Sequence, residues 1–310
     1  MRVAVLAGGV GGARLASGFY QVLPPDDLSV VVNTGDDFEH LGLHIAPDLD
    51  TVTYTLAGVA NRETGWGVAG DTFEALAALE RLGGPSWFRL GDRDLATHVQ
   101  RTALLREGLR LTEVTQRICK ALGVKAGILP MTDDPVATKV VTAEGVLDFQ
   151  DYFVRRRCEP PVREVRFDGI EAAAPGREAI AALRRSEAIV IAPSNPFVSV
   201  EPILALRGVS ELLASKAVVA VSPIVGGRAI KGPAAKMLGE LGLDVSPLGV
   251  ARRYAGVVDG FVIDHEDQSL ADAIGALGLN VVITQTIMRT DEDRASLARD
   301  CLDLLKHLGP

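Results

Sequence analysis

The sequence predicts an α/β protein whose mostly parallel sheet is covered by helices on both faces, and three observations carry that expectation. Short β-branched apolar runs recur along the chain, each closing on Gly, Pro, Asn or Asp. Between them lie longer segments with apolar residues spaced by three and four, the stripe of a helix packed on a sheet. The runs are continuously apolar, not alternating, as strands buried on both faces are. In chain order the strands fall at 3–7, 30–32, 189–192, 218–221, 261–263 and 281–284, and the helices between them at 11–22, 176–185, 233–241, 268–277 and 291–308. The middle differs. Segments 71–82, 94–106 and 111–122 are rich in helix formers with few apolar runs between them, so about 50–125 reads as a mostly helical insertion after the second strand. A hairpin is expected at 138–141 and 146–149, around Ala143-Glu144-Gly145. No Ser/Pro-rich linker divides the chain, so residues 1–310 read as one domain carrying that insertion.

Composition narrows the function. The 310 residues are 47% hydrophobic and 23% charged with a formal net charge of −8, which excludes disorder and a collagen-like repeat. The acidic balance lacks the basic footprint that nucleic acid or an anionic membrane demands. Three separated cysteines, Cys119, Cys158 and Cys301, make neither a disulfide framework nor a thiolate metal site and fit a reducing compartment. The apolar run near Met1 is too short for a signal-peptide core, and no stretch reaches the ~20 apolar residues that span a bilayer. A soluble, cytoplasmic protein is expected.

The chemistry is concentrated in loops that follow strands. The first strand runs into Gly8-Gly9-Val10-Gly11-Gly12-Ala13-Arg14, where glycines let backbone N–H groups approach a phosphate at a helix N-terminus, a Rossmann-like opening. It departs from the dinucleotide fingerprint, because Arg14 stands where the third glycine belongs, and it lacks the Gly-Lys-Ser/Thr ending of a Walker loop. The plainer reading is a tight strand-to-helix turn. The second strand delivers Asn33-Thr34-Gly35-Asp36-Asp37, and Pro47-Asp48-Leu49-Asp50-Thr51 follows. Carboxylates at this end of a parallel strand suit a hard cation beside a phosphate. Asp48 or Asp50 equally suits the cap of a helix starting near Thr51.

His40 and His44 lack a third strong ligand and read as loop or pocket-lining residues. In Leu90-Gly91-Asp92-Arg93-Asp94-Leu95-Ala96-Thr97-His98, mixed charge marks either a capped, solvated helix start or a surface presenting Arg89 and Arg93 to a phosphate or a heterocycle. Pro193-Ser194-Asn195-Pro196 and Ser222-Pro223-Ile224-Val225-Gly226-Gly227 follow later strands and belong to the same candidate site; Lys231 and Lys236 flank a helix start and suit phosphate contact or solvent. No nucleophile elbow or Ser-His-Asp set stands out, so covalent catalysis is not expected.

Taken together, the glycine loop, Asn33–Asp37, Pro47–Thr51, Leu90–His98, Pro193–Pro196 and Ser222–Ile224 resemble the CofD/FbiA family, in order from residue 1 to near residue 300. The resemblance implies a three-layer Rossmann-like fold and a transferase of coenzyme F420 biosynthesis. It would pass a phospholactyl or phosphoenolpyruvyl unit from a guanosine diphosphate-linked donor to the deazaflavin Fo, with GMP leaving and Mg2+ required. By position, the resemblance assigns Asp50 and Arg89 to Fo, Asp37 and Asp50 to the metal, and Asp50 to catalysis. Gly9, Val10, Gly11, Gly12, Arg14, Ser194 and Asn195 would hold the nucleotide and its phosphates. A homodimer is implied, and Gly8–Arg14 with Thr64-Gly65-Trp66-Gly67 favours the enolpyruvyl donor. Two alternatives differ in class: a sugar-nucleotide-binding regulatory protein on the same fold, and an NAD-dependent oxidoreductase, which the departed glycine fingerprint weakens.

Overall fold

The computed structural model describes residues 1–309. The strands in chain order are β1 (Val3–Ala7), β2 (Leu28–Val32), β3 (Phe38–His40), β4 (Leu43–Ile45), β5 (Gly127–Pro130), β6 (Ala137–Thr142), β7 (Gly145–Asp148), β8 (Val162–Asp168), β9 (Ala188–Ile191), β10 (Ala217–Val221), β11 (Ile224–Val225), β12 (Arg228–Ala229), β13 (Gly260–Asp264) and β14 (Asn280–Thr284). Seven of them form one parallel sheet in the order β14-β13-β10-β9-β1-β2-β5. This is the expected α/β, Rossmann-like architecture. Period-two alternation divides β1 between two cores: Val3, Val5 and Ala7 pack with Leu15, Phe19 and Leu297, whereas Ala4 and Leu6 pack with Ile189, Phe197 and Leu213.

Helices α1 (Gly9–Val22), α2 (Pro47–Leu56), α3 (Glu74–Arg81), α4 (Asp92–Arg106), α5 (Leu111–Ala121) and α6 (Arg177–Arg185) follow in order, and the helix Asp291–Leu308 lies against α1. Four of these, α2 to α5, fill the chain between β4 and β5. Among the described residues no helix is long and apolar enough to cross a membrane.

Several local readings are corrected. Helix α2 begins at Pro47, with Ala46 at its N-cap, so Asp48 and Asp50 stand inside its first turn and do not cap a helix near Thr51. Proline is favoured there because its missing N–H would have had no helical partner. The expected helix at 268–277 is a 3-10 turn, His265–Leu270, followed by Ala271–Gly275. Asp264 starts that turn by accepting from the Glu266 amide, and Asp267 leaves helical geometry. The β6–β7 hairpin is present, and β8 adds a third antiparallel strand. The edge strand β5 and β8 were missed: β5 is four residues closing on Pro130, and β8 mixes charged residues with its apolar ones.

The strand order reverses at β1, with β9 on one side and β2 on the other. The loops leaving their carboxyl ends therefore converge on one crevice, the usual ligand position in open α/β sheets.

Candidate functional site

That crevice is a cavity of about 620 Å³. Its floor is the glycine loop. Gly8 caps α1, and its amide donates to Ser194 Oγ at 3.1 Å while that hydroxyl donates back to the Gly8 carbonyl at 2.8 Å. The Gly9 amide, at a positive φ of 62°, donates to Asp48 Oδ1 at 2.7 Å. Val10 and Gly11 come next in the first turn, where helical geometry gives amides no intrahelical partner, and both line the cavity. Glycine is required at 11 because a Cβ there would overlap the Pro193 carbonyl oxygen. Gly12 is buried behind the loop against Ala7 and Ser194, away from the lining. Asn195 lines the cavity, and its side-chain Oδ1 accepts from the Phe197 amide at 3.0 Å.

Four carboxylates stand around this floor, and their surroundings separate them. Asp48 Oδ2 accepts from Asn33 Nδ2 at 2.9 Å, and burial pushes its pKa up to about 6 despite that bond and the one from Gly9. Asp36 is buried, its Oδ1 has no hydrogen-bond partner, and burial followed by the charges of Asp48 and Asp37 raises it well above the ordinary carboxylate range. Asp36, Asp48 and Asp50 line the cavity; Asp37 does not, and its Oδ2 meets His44 Nε2 at 3.1 Å on the β3–β4 hairpin. Burial raises Asp37 while the His44 contact opposes the rise.

Asp50 is held from behind. Both its oxygens accept from the Arg101 guanidinium, Oδ2 at 3.1 Å from Nη1, and Arg101 Nη1 lies 3.0 Å from His98 Nδ1. Tyr54, one turn after Asp50 in α2, donates its hydroxyl to Asp94 Oδ1 at 2.8 Å. Asp50, Asp94 and His98 offer ligand atoms close enough to share an ion, but Arg101, fully buried beside them, already supplies the positive charge. Helices α2 and α4 thus bring together two polar stripes, Asp50/Tyr54 and Asp94/His98/Arg101, at spacings of three and four.

The start of α4 is fixed by an exchange of caps. Asp71 accepts from the amides of Arg93 (2.9 Å) and Asp94 (3.1 Å), while Asp92 accepts from those of Glu74 and Ala75 at the start of α3, both at 3.0 Å. Each carboxylate caps the other's helix, a role that Asp92 or Asp94 was expected to play on its own helix. Beyond this clasp the cavity wall becomes aromatic. Trp87 and Phe88 pack edge-on at 5.6 Å, Phe38 meets Phe88 at 4.9 Å, and His40 packs on Trp87 at 5.2 Å. His40 is therefore a buried member of this cluster on the β3–β4 hairpin, and neither it nor His44 lines the cavity. Arg89 lies over the Phe73 ring at 4.7 Å and lines the cavity with Trp66, Trp87, Phe88, Phe149 and Phe153.

A smaller pocket, about 70 Å³, adjoins the first across Val10, Gly11, Pro193, Asn195 and Lys231, which line both. Arg14 lies here, not in the large cavity, and donates to the Met288 carbonyl at 3.1 Å. Ser222, Pro223 and Thr286 line it too, with apolar side chains such as Val225 and Ile230. Lys236, by contrast, is committed to Glu240 and to the ring of Tyr152.

The structure therefore gathers Gly9, Val10, Gly11, Asp50, Arg89, Ser194 and Asn195 into one cavity, with Arg14 next door and Asp37 and Gly12 off its wall. Sequence reasoning missed Arg101, Tyr54 and the aromatic wall. Two of these carried a signal: Arg101 and Tyr54 lie three and four residues from polar neighbours on one helix face. The aromatics Trp87 and Phe88 carried none, since they sit in a loop.

Relatives align over nearly the whole chain. A 2-phospho-L-lactate transferase of Methanosarcina mazei is 41% identical over 95% of this chain and 97% of its own. Another of that name, from Methanocaldococcus jannaschii, is 41% identical over 97% of each. A phosphoenolpyruvate transferase of Streptomyces griseus is 40% identical over 99% of each. Among solved structures, a UPF0052 family member from Bacillus halodurans superposes with a TM-score of 0.62 over 97% of this chain and 98% of its own at 14% identity, a likeness of fold. The family model described as 2-phospho-L-lactate transferase CofD matches residues 3–293, and the chain belongs to that family of transferases.

Proposed function

We propose that this transferase passes a phospho-acyl unit from a guanosine diphosphate-linked donor to the deazaflavin Fo, in coenzyme F420 biosynthesis, with GMP leaving. The observation that carries the reading is the shared wall. A large cavity with an aromatic end meets a small basic pocket, of a size for a phosphate group, at the first turn of α1, so an acceptor in the large cavity and the diphosphate of a donor at the small pocket would touch there. The large cavity suits a planar heterocycle, with Trp87, Phe88 and Arg89 at its ring end. Its polyhydroxylated tail would run past Asp50 toward Val10 and Gly11. Arg101 holds the Asp50 carboxylate in one orientation, which makes it an acceptor for the tail's hydroxyls.

The reaction asks for alignment and for neutralised charge, with little covalent help. The open amides of the α1 first turn and its dipole receive phosphate oxygens. Ser194 acts by clamping Gly8, which sets where that turn begins. The acceptor's terminal hydroxyl oxygen bonds to the acyl-bearing phosphorus, the bond from that phosphorus to GMP breaks with its electron pair on GMP, and the hydroxyl proton goes to water.

The donor set near the glycine loop fits Mg2+. Asp36 and Asp48 are buried, repel each other, and leave Asp36 Oδ1 without a partner, a cost that a hard cation relieves. Asp36 and Asp48 line the cavity, whereas Asp37, whose Oδ1 is also without a partner, lies off its wall beside His44, and Asp50 is paired with Arg101, so the metal role assigned by resemblance to Asp37 and Asp50 moves to their neighbours in this reading. When bound, the ion would neutralise diphosphate charge.

The test uses the acceptor's fluorescence. Fo is titrated into the protein with Mg2+ and GDP, the lactyl-, enolpyruvyl- and glyceryl-bearing guanosine donors are then added in turn, and products are separated by chromatography. Fo binding followed by GMP release and a phospho-acylated deazaflavin is the expected result and identifies the acyl group. Absence of Fo binding, or nucleotide-sugar binding without transfer, overturns it.

A further inference from the structure

Five residues line both cavities, and among the described residues Lys231 is the one charged side chain of the five. It is carried by the loop after the β11–β12 hairpin, and its Nζ donates to the Thr64 carbonyl at 2.7 Å, across to the loop that brings Trp66 to the large cavity. The contact closes the two loops over Val10: a Cβ on Gly65 would lie 2.7 Å from Lys231 Nζ and 3.0 Å from Val10 Cγ1. An ammonium carries three donors, and one is used here. Arg14 shares the smaller pocket, and burial followed by the Arg14 charge lowers the Lys231 pKa. Two cations thus flank the amides at Val10 and Gly11.

We infer that Lys231 is a catalytic residue that contacts the transferring phosphoryl group, neutralising the charge that builds on its oxygens as the bond to GMP breaks. The inference rests on the function proposed above and adds a residue to it. Geometry sets the role: bond making and breaking must occur where the acceptor and donor cavities meet, and that is where this ammonium stands. A metal or the α1 amides can hold a diphosphate in its ground state; an ammonium on the shared wall, with two N–H donors left over, can serve oxygens whose charge grows only as the bond to GMP breaks.

The test compares wild type, Lys231→Met and Lys231→Arg in steady-state transfer, in Fo titration, and in binding of GDP against guanosine. Expected for Lys231→Met is a fall in kcat of about 10²-fold, the usual effect of removing one donor to developing charge. Fo affinity is unchanged, the melting temperature falls by no more than the ~2 °C that one lost hydrogen bond costs a chain of this size, GDP binding is weakened, guanosine binding is unaffected, and Lys231→Arg recovers part of the loss. If Lys231 only straps the two loops, Fo affinity and melting temperature fall while kcat at saturation is kept, which overturns the inference. Unchanged kcat and unchanged GDP binding also overturn it. Failure of the wild-type protein to transfer from any guanosine donor refutes the underlying function, an outcome distinct from a wild type that works and a Lys231→Met that works equally well.

Discussion

Replacing Arg101 by Met tests how the Asp50 side of the cavity is held together. Arg101 and Asp50 are both buried, at 2% and 5% exposure, and the guanidinium donates to both carboxylate oxygens. Methionine fills much of the volume but donates nothing, so Asp50 is left as a buried charge beside Asp94. Two charge-assisted hydrogen bonds at about 2 kcal/mol each give about 4 kcal/mol, within the ~3–5 kcal/mol seen when one partner of a buried pair is removed. At roughly 2 °C per kcal/mol for a chain of this size, the melting temperature should fall by about 8 °C. Asp50→Asn should also destabilise, by stranding Arg101, whereas the double variant Asp50→Asn/Arg101→Met should recover at least half of the summed losses. The assay is urea unfolding of the four proteins as a double-mutant cycle, followed by transfer activity. A coupling energy below about 0.5 kcal/mol, the range of independent sites, would refute the claim that the two side chains form one unit. Transfer should be lost in both Asp50 variants, and wild-type turnover in a folded Asp50→Asn would remove Asp50 from the machinery.

Further outcomes are expected. Asp48, with its folded pKa raised to about 6 from 3.8, favours the folded state most below about pH 4 and loses that contribution as pH rises through 6. In chelator the contribution amounts to about 3 kcal/mol between the limits. Urea titrations at pH 4.5 and 7.5 should show it in wild type and not in Asp48→Asn, and an equal pH slope in both would disprove it. Mg2+ should raise the wild-type melting temperature at pH 7.5 but not that of Asp36→Asn/Asp48→Asn; an equal rise in both would place the ion elsewhere. Gly11→Ala forces α1 off the Pro193 carbonyl, costing about 1–3 kcal/mol of stability, and a displacement near 1 Å should lower transfer about 10²-fold. Wild-type turnover in that variant would show that the loop has slack. Arg89→Ala should weaken Fo binding about tenfold while GDP binding is kept, read by fluorescence and calorimetry. Loss of GDP binding alone would reverse the assignment of the two cavities.

The parallel sheet was legible because its strands are buried on both faces and read as unbroken apolar runs such as Val3–Ala7. One edge was not, since Gly127 and Pro130 leave Ile128 and Leu129 alone between them, with no run to stand out. In the site, the glycine loop was readable from local backbone chemistry. The division of labour among Asp36, Asp37, Asp48 and Asp50 was not, because it depends on partners far along the chain: Arg101 lies 51 residues from Asp50, and Ser194 lies 186 from Gly8. Adjacent carboxylates look alike until their partners are known. Lys231 and Lys236 make the same point, being equivalent in sequence and opposite in circumstance.

The exchange of caps between Asp71 and Asp92 has a consequence for how this protein can diverge. Residues 73–91 leave and return through a neck sealed by those two carboxylates, and Gly91 is pinned there because a Cβ would overlap the Asp71 side chain. The excursion carries Trp87, Phe88 and Arg89, while the register of Asp94, His98 and Arg101 is set at the neck. Length and sequence inside the excursion can therefore drift, reshaping the aromatic wall to suit a different ring system, without rotating α4 or disturbing the charges behind Asp50. The protein separates what it recognises from what it holds still.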